Sequence, residues 1–166
     1  RLRREALGRS QRSLLPRLTP LAWQHGFYLA GGTALALQLG HRRSVDFDWF
    51  RGDPIDDPLR LAADLRAAGL RFETDRVEKG TLHGRASGVR VSFLEYGYPL
   101  LRPLREAEGL RLAALEDIAA MKLAAVAQRG SKKDLVDVFA LGRHFGLADM
   151  LAFYRKKYGV ADAGHV

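Results

Sequence analysis

The 166-residue chain contains no cysteine. That absence excludes disulfides, thiolate zinc sites and cysteine nucleophiles together, and it fits a reducing compartment, so a cytoplasmic setting is expected. Histidine is sparse. His25, His41, His83, His144 and His165 form no HExxH and no i,i+4 pair, so the helical zinc patterns are missing. There is no GxSxG elbow, no GxGxxG and no P-loop GK[ST]. Long apolar runs are missing too. The most apolar stretch, LAALEDIAAMKLAAVA, is interrupted by Glu116, Asp117 and Lys122, so no membrane span is expected. The N-terminal RLRREALGRSQRSLLPRL is basic but lacks an apolar h-region and a convincing cleavage site. It reads as a basic arm, or as a helix packing through Leu14, Leu15 and Leu18. No internal repeat or low-complexity segment is present.

What remains is a globular composition, 47% hydrophobic and 28% charged, long enough to form a core without covalent staples. Lys and Arg number 27 against 19 Asp and Glu, a net charge of +8. Such an excess suits an anionic partner, whether nucleic acid, nucleotide or lipid head group. It equally suits an Arg-rich surface with no such partner.

Local signals divide the chain into residues 1–18, a sheet domain over 19–113 and a helical part over 114–166. Thr19-Pro20 is a helix-start signal, and 27–30 reads as a buried strand. Gly31-Gly32 makes a turn into a helix that Gly40 stops. Residues 44–50 form the next strand, and Asp57-Pro58 opens another helix ending near Gly69. Three strands follow, over 70–78, 81–87 and 88–96, with Gly80 and Ser87-Gly88 as turns. After a loop, 110–114 is a short strand and 115–128, 132–144 and 148–157 are helices. The pattern is α+β.

The chemistry concentrates in GGTALALQLGHRRSVDFDWF, residues 31–50. Side chains two apart on a strand share a face, so Asp46 and Asp48 point together, opposite Val45, Phe47 and Trp49. Adjacent carboxylates repel unless a cation or a proton relieves them. Mg²⁺ suits such a pair, since it takes one or two carboxylates plus substrate phosphates. Pairing with Arg42 or Arg43 would relieve them as well. Gly31-Gly32-Thr33 lies where a strand enters a helix N-terminus, a place suited to an anion and equally to a plain tight turn. The helix runs directly into the aspartate strand, so a triphosphate on the turn could share a metal with Asp46 and Asp48.

This stretch resembles the first motif of the AbiEii/AbiGii-type nucleotidyltransferase toxins, within the DNA polymerase β-like nucleotidyltransferase superfamily. The motif is a GG or GS turn, a short helix, then an Arg-x-Ser-x-Asp-x-Asp strand, filled here by Gly31, Gly32, Thr33, Arg42, Ser44, Asp46 and Asp48. LEDIAAMKLAAVAQRGSKKDLVDVFAL, residues 115–141, resembles the second signature through Lys122, Arg129, Lys133, Asp134 and Asp137. The resemblance spans roughly residues 19–158. It implies a polymerase-β-like mixed sheet flanked by helices. It also implies transfer of a nucleoside monophosphate from an NTP to an acceptor, with relatives that modify the tRNA 3′ end in toxin–antitoxin or phage-defence systems. An antitoxin partner follows from the same resemblance. By position, Asp46 and Asp48 would hold Mg²⁺, with Mn²⁺ as the alternative. Gly31, Gly32 and Thr33 would bind triphosphate, with Arg42, Ser44, Arg129 and Lys133 also at the nucleotide. Lys122 would neutralise phosphate charge. Asp134 and Asp137, one helical turn apart, would orient Lys122 or an acceptor hydroxyl. Helix capping and salt bridges are the plain alternative for these aspartates, and snorkelling from an alanine-rich helix for Lys122.

The chain departs from the superfamily at one place. A third acid is usual on a later strand, and in GVRVSFLEY the expected position holds Ser92. Glu95 falls on the opposite face by alternation unless a bulge realigns it. The rival readings are therefore a transferase acting on a protein or small molecule, or a degenerate nucleotide- or RNA-binding module. Tyr96, Tyr98, Phe153, Tyr154 and Tyr158 could stack on bases or simply pack.

Overall fold

The structure, a computed structural model, describes residues 1–159. A seven-stranded sheet runs in the order β3-β4-β5-β2-β1-β7-β6. Its strands are β1 (Tyr28–Ala30), β2 (Phe47–Arg51), β3 (Phe72–Glu78), β4 (Thr81–Ala86), β5 (Val89–Glu95), β6 (Arg105–Ala107) and β7 (Leu110–Leu112). The helices are α1 (Arg9–Gln24), α2 (Gly31–Leu39), α3 (Pro58–Ala67), α4 (Leu115–Gln128), α5 (Lys132–Leu141) and α6 (Leu147–Tyr158). The sheet is mixed. β2 pairs with β5 and β1 with β7 in parallel, and the other neighbours are antiparallel. This is the α+β architecture expected. No helix among the described residues is long and apolar enough to cross a membrane.

Alternation along the central strands separates a core face from a site face. Phe47 and Trp49 on β2, and Val91 and Phe93 on β5, are buried, and Leu14, Leu15, Leu18, Leu61 and Leu65 of α1 and α3 belong to the same core cluster. Asp48, Ser92 and Leu94 stand on the opposite face, only partly covered. At the β4–β5 turn, Ser87 and Gly88 both take positive φ, 52° and 76°, as a two-residue hairpin of this twist requires.

Several local expectations are corrected. The helix predicted to start at Thr19-Pro20 begins at Arg9 and carries Pro16 and Pro20 inside it, so the 18/19 division falls within α1. Buried Leu14, Leu15, Leu18 and Ala22 recur at helical spacing, and this apolar face outweighs the prolines' local cost. Thr19 is no cap; its hydroxyl donates to the Leu15 carbonyl at 2.7 Å. Of the two readings of the N-terminal segment, the helix packing through Leu14, Leu15 and Leu18 is the one observed, not a basic arm: Leu2, Ala6 and Leu7 are buried as well, and Arg3 N–H donates to the Leu37 carbonyl at 2.7 Å. The aspartate strand starts at Phe47 rather than Ser44, leaving Val45 54% exposed instead of in the core. Residues 105–107, read as loop, form β6, which pairs back on β7 through a Glu108-Gly109 turn of positive φ. α5 ends at Leu141, before the expected 144. His165 and the last residues of the 114–166 part lie outside the described residues.

Candidate active site

The site forms where β1 delivers its chain into α2 beside β2. Ala30 pairs with Asp48 across the antiparallel ladder, which brings the glycine turn against the aspartate strand. Gly31 has φ +70°, and a Cβ there would lie 2.9 Å from Asp48 Oδ2. A Cβ on Gly32 would lie 2.2 Å from Arg42 Nη2 and 3.3 Å from Asp137 Oδ2. Gly31 is therefore required by its left-handed conformation and by close approach, and Gly32 by the close approach of Arg42 and Asp137. The α2 N-terminus carries no side-chain cap, so its leading N–H groups remain available to an anion. Thr33 is buried, and its hydroxyl donates to the Asp46 carbonyl and contacts the Ser44 hydroxyl. That places its side chain as a clamp on the loop before β2. Ser44 is likewise buried, its N–H donating to the Ala6 carbonyl at 3.0 Å.

The second motif folds onto the first. Lys122, 6% exposed on α4, extends Nζ to 3.1 Å from Asp134 Oδ1 and 2.9 Å from Asp137 Oδ2. Asp134 also accepts from Arg129 Nε at 2.6 Å and Nη2 at 3.0 Å, and from the Ser131 hydroxyl at 2.7 Å. Asp137 receives Arg42 through Nε at 2.7 Å and Nη2 at 3.0 Å, with His41 Nε2 at 2.6 Å. Both aspartates are buried and saturated with donors, so they orient cations and have no free oxygen for an acceptor hydroxyl. Arg129, with Ser131 and Lys122 beside it, holds the Asp134 carboxyl far below the ordinary carboxylate range. Burial works against ionisation of Asp137, but the bonds from His41, Arg42 and Lys122 outweigh it and hold that carboxyl low as well. Lys133 stays exposed and borders the polar cavity over Gly32 and Thr33.

Asp48 behaves in the opposite way. Burial and the neighbouring Asp46 push its carboxyl up to about 6, against the pull of Lys122, Arg129 and Arg90. Asp46, whose side chain is 38% exposed, has Arg90 Nε at 3.5 Å. This is an electrostatic deficit that a divalent cation would relieve. Asp46 and Asp48 thus suit one Mg²⁺ completed by phosphate oxygens. No group of three His, Asp or Glu side chains suited to a metal exists among the described residues.

Three cavities meet at Asp48. A polar one of about 310 Å³ lies over Gly32, Thr33, Arg42, Lys122 and Arg129. A larger cleft of about 590 Å³ is walled by Phe50, Tyr96, Tyr98, Tyr154 and Tyr158. A third, of about 330 Å³, is bordered by Asp46, Arg76, His83, Arg90 and Ser92. The aromatics of the cleft make edge contacts with one another, Tyr96 with Tyr98 at 5.1 Å and Tyr98 with Tyr158 at 4.7 Å between centroids. The Tyr96 and Tyr158 hydroxyls are hydrogen-bonded. Phe153 instead packs on Phe145, 5.1 Å between centroids, away from the cleft.

Ser92 stands opposite Asp48 on β5, and the β5 ladders run without a shift from Val89 to Glu95. No bulge brings Glu95 round. Its Oε1 accepts from Ile55 N–H at 3.0 Å, and its side chain covers Gly80. Three residues that the sequence did not single out also shape the site. His83 Nδ1 lies 2.8 Å from Ser92 Oγ. Asp117 and Lys157, both buried, meet at 2.7 Å. Asp117 also accepts from Leu101 N–H at 2.8 Å and Arg102 N–H at 3.1 Å, which ties α6 and the 96–104 loop to α4. The turn at Ser87-Gly88 could have revealed His83, because it sets the register opposite Ser92; the Asp117–Lys157 pair has no local signal.

A mixed sheet with an uncapped helix N-terminus near its centre, paired carboxylates beside it and a buried lysine on a flanking helix is the architecture of a nucleotidyltransferase. Residues 13–163 match the family described as "Nucleotidyl transferase AbiEii toxin, Type IV TA system". The chain belongs to that family and is a nucleotidyl-transfer enzyme. It is 39% identical over 162 residues to the uncharacterized protein aq_aa25 of Aquifex aeolicus, covering 94% of this chain and 78% of that one. Among solved structures, the antibiotic-resistance factor ANT(2'')-Ia shares the fold with a TM-score of 0.65 at 15% identity, over 94% of this chain and 97% of that chain. JHP933 from Helicobacter pylori matches with a TM-score of 0.59 at 20% identity, over 95% of this chain and 83% of that chain. The Megavirus polyadenylate synthase matches with a TM-score of 0.59 at 13% identity, over 80% of this chain. The match spans 31% of that chain, about a third of its length.

Proposed function

We propose that the chain transfers a nucleoside monophosphate from an NTP to an RNA acceptor such as the tRNA 3′ end, acting as the toxin of a toxin–antitoxin or phage-defence pair. What carries this reading is the convergence of three cavities on Asp48. The triphosphate lies over the α2 N-terminus, where Gly31, Gly32 and Thr33 offer N–H groups and Arg42, Lys122, Arg129 and Lys133 supply positive charge. The nucleoside enters the tyrosine-walled cleft. Asp46 and Asp48 hold Mg²⁺, which supplies charge neutralisation at the reacting phosphate when bound. Asp134 and Asp137 position Lys122, Arg129 and Arg42 rather than touching substrate. The acceptor comes from the third cavity, rimmed by Arg76 and Arg90. The net charge of +8 supports a polyanionic acceptor.

The test uses NTPs labelled at the α-phosphate with Mg²⁺ and total RNA. Labelled RNA is expected, and Asp46→Ala and Asp48→Ala should each abolish it. Label persisting in both variants would sink the site assignment. Label in a protein or metabolite would select a different acceptor. Ser92 in place of an acid favours a second reading, a nucleotide-binding module without turnover. NTP binding by calorimetry with no pyrophosphate release under any acceptor would support that alternative.

A further inference from the structure

The cavity on the far side of Asp48 from the glycine turn carries a histidine beside the position where an acid is missing. Strand pairing sets Asp48 opposite Ser92, and Ser92 opposite His83. Directly opposed residues share a face, so the three side chains stand abreast on the site face of adjacent strands. His83 Nδ1 is 2.8 Å from Ser92 Oγ. Its Nε2 has no hydrogen-bond partner among the described residues and is not among the buried orphaned atoms. It is therefore accessible, and His83 lines both the cavity of about 330 Å³ that Asp46 and Asp48 border and the tyrosine-walled cleft that also reaches Asp48.

We propose that His83, oriented by Ser92, is the base that takes the proton of the acceptor hydroxyl. This rests on the nucleotidyl-transfer reading above. With Nδ1–H donating to the Ser92 hydroxyl, the lone pair of Nε2 faces the acceptor. The acceptor O–H passes its proton to Nε2 as its oxygen bonds to the α-phosphorus. The bond from that phosphorus to the bridging oxygen breaks, and pyrophosphate leaves with the electron pair. The imidazolium then returns its proton to solvent. The charged groups around the ring are Arg76, Glu78 and Asp75 from β3, Arg90 from β5 and Asp46 and Asp48 from the β2 side. Burial and Arg76, opposed by Glu78, hold the imidazole below its ordinary value, which leaves it unprotonated at neutral pH.

The experiment compares the wild-type chain with His83→Ala, His83→Gln, Ser92→Ala, Ser92→Thr and the double variant His83→Ala/Ser92→Asp. It measures transfer from labelled NTP to RNA, protein and small-molecule acceptors, and NTP binding by calorimetry. Both His83 variants should lose on the order of 10²- to 10⁴-fold in kcat with NTP affinity unchanged. Exogenous imidazole should restore part of the rate to His83→Ala, as should Ser92→Asp in the same background, since a carboxylate then stands beside Asp48. Ser92→Ala should lower kcat without changing KM for NTP, and Ser92→Thr should restore it. Undiminished transfer by His83→Gln, or a His83→Ala loss that imidazole does not relieve, overturns the assignment. No transfer by the wild-type chain to any acceptor overturns the functional reading itself, and the base with it.

Discussion

Arg42 clasps Asp137 across 95 residues of chain, Nε 2.7 Å and Nη2 3.0 Å from its two oxygens. The same carboxylate receives Lys122 at 2.9 Å. One buried aspartate thus joins the loop before β2 to the helices carrying the second motif. It also aims two cations toward the space over the α2 N-terminus.

Removing that charge should be costly. Asp137→Asn retains the shape but leaves Lys122 and Arg42 without their shared anion in a buried place. Breaking a buried pair by removing one partner costs about 3–5 kcal/mol. Urea denaturation should register this as a lowered midpoint, with transfer activity lost even where the protein remains folded. A midpoint equal to wild type would refute the clasp's structural importance. Arg42→Lys should lose part of the same stability, since lysine cannot make the bidentate contact.

The glycine turn offers a second test. Gly31→Ala places a Cβ in the left-handed region and 2.9 Å from Asp48 Oδ2. Backbone strain alone should cost about 1–3 kcal/mol, and relief by shifting Asp48 should weaken Mg²⁺-dependent NTP binding. Thermal denaturation and calorimetry with Mg²⁺ and NTP would check both parts. Unchanged affinity with lowered stability would show that the turn is structural only.

The pH dependence of the metal-free protein follows from opposite shifts within one site. Asp48 is raised from 3.8 to about 6 in the folded state. Its contribution is fully present below the unfolded value and is lost as pH rises through about 6. The change is on the order of 3 kcal/mol, at about 1.4 kcal/mol per unit. Asp134 and Asp137 are lowered, so their contribution is present above the unfolded value near 4 and is lost as pH falls below it. Metal-free stability should therefore fall between about pH 4 and 7, and Asp48→Asn should flatten that slope while abolishing transfer. Denaturation midpoints across pH would decide it; an identical slope in the variant would refute the Asp48 assignment.

Lys157 does not line the polar cavity over Gly32 and Thr33, yet it holds the wall of the aromatic cleft. Its Nζ meets Asp117 Oδ1 at 2.7 Å and the Pro99 carbonyl at 3.0 Å. Lys157→Ala leaves Asp117 buried without its counter-charge, at a cost of about 3–5 kcal/mol. Because α6 carries Tyr154 and Tyr158, a loosened α6 should raise KM for NTP more than it lowers kcat. Steady-state kinetics on the folded fraction would test this, and a pure kcat effect would contradict it.

The sequence by itself determined what short-range physics governs. Strand alternation placed Phe47 and Trp49 inward and Asp48 outward. Gly40 stopped α2, the α3 span followed from the Asp57-Pro58 start signal, and the α4 and α6 spans followed from helical periodicity. Two spaced motifs made the nucleotidyl-transfer class legible. Local signals misled where tertiary burial overrode them, as in α1, whose leucine face carries the helix through Pro16 and Pro20. Only the tertiary structure decided the rest, because its partners lie far apart in the chain. It set Asp134 and Asp137 to hold cations rather than meet an acceptor. It committed Glu95 to Ile55, buried Asp117 against Lys157, and stood His83 beside Ser92 in the row that begins at Asp48. Local propensity acts over a helical turn or a hairpin, whereas a charge finds its counter-charge only after the chain has packed.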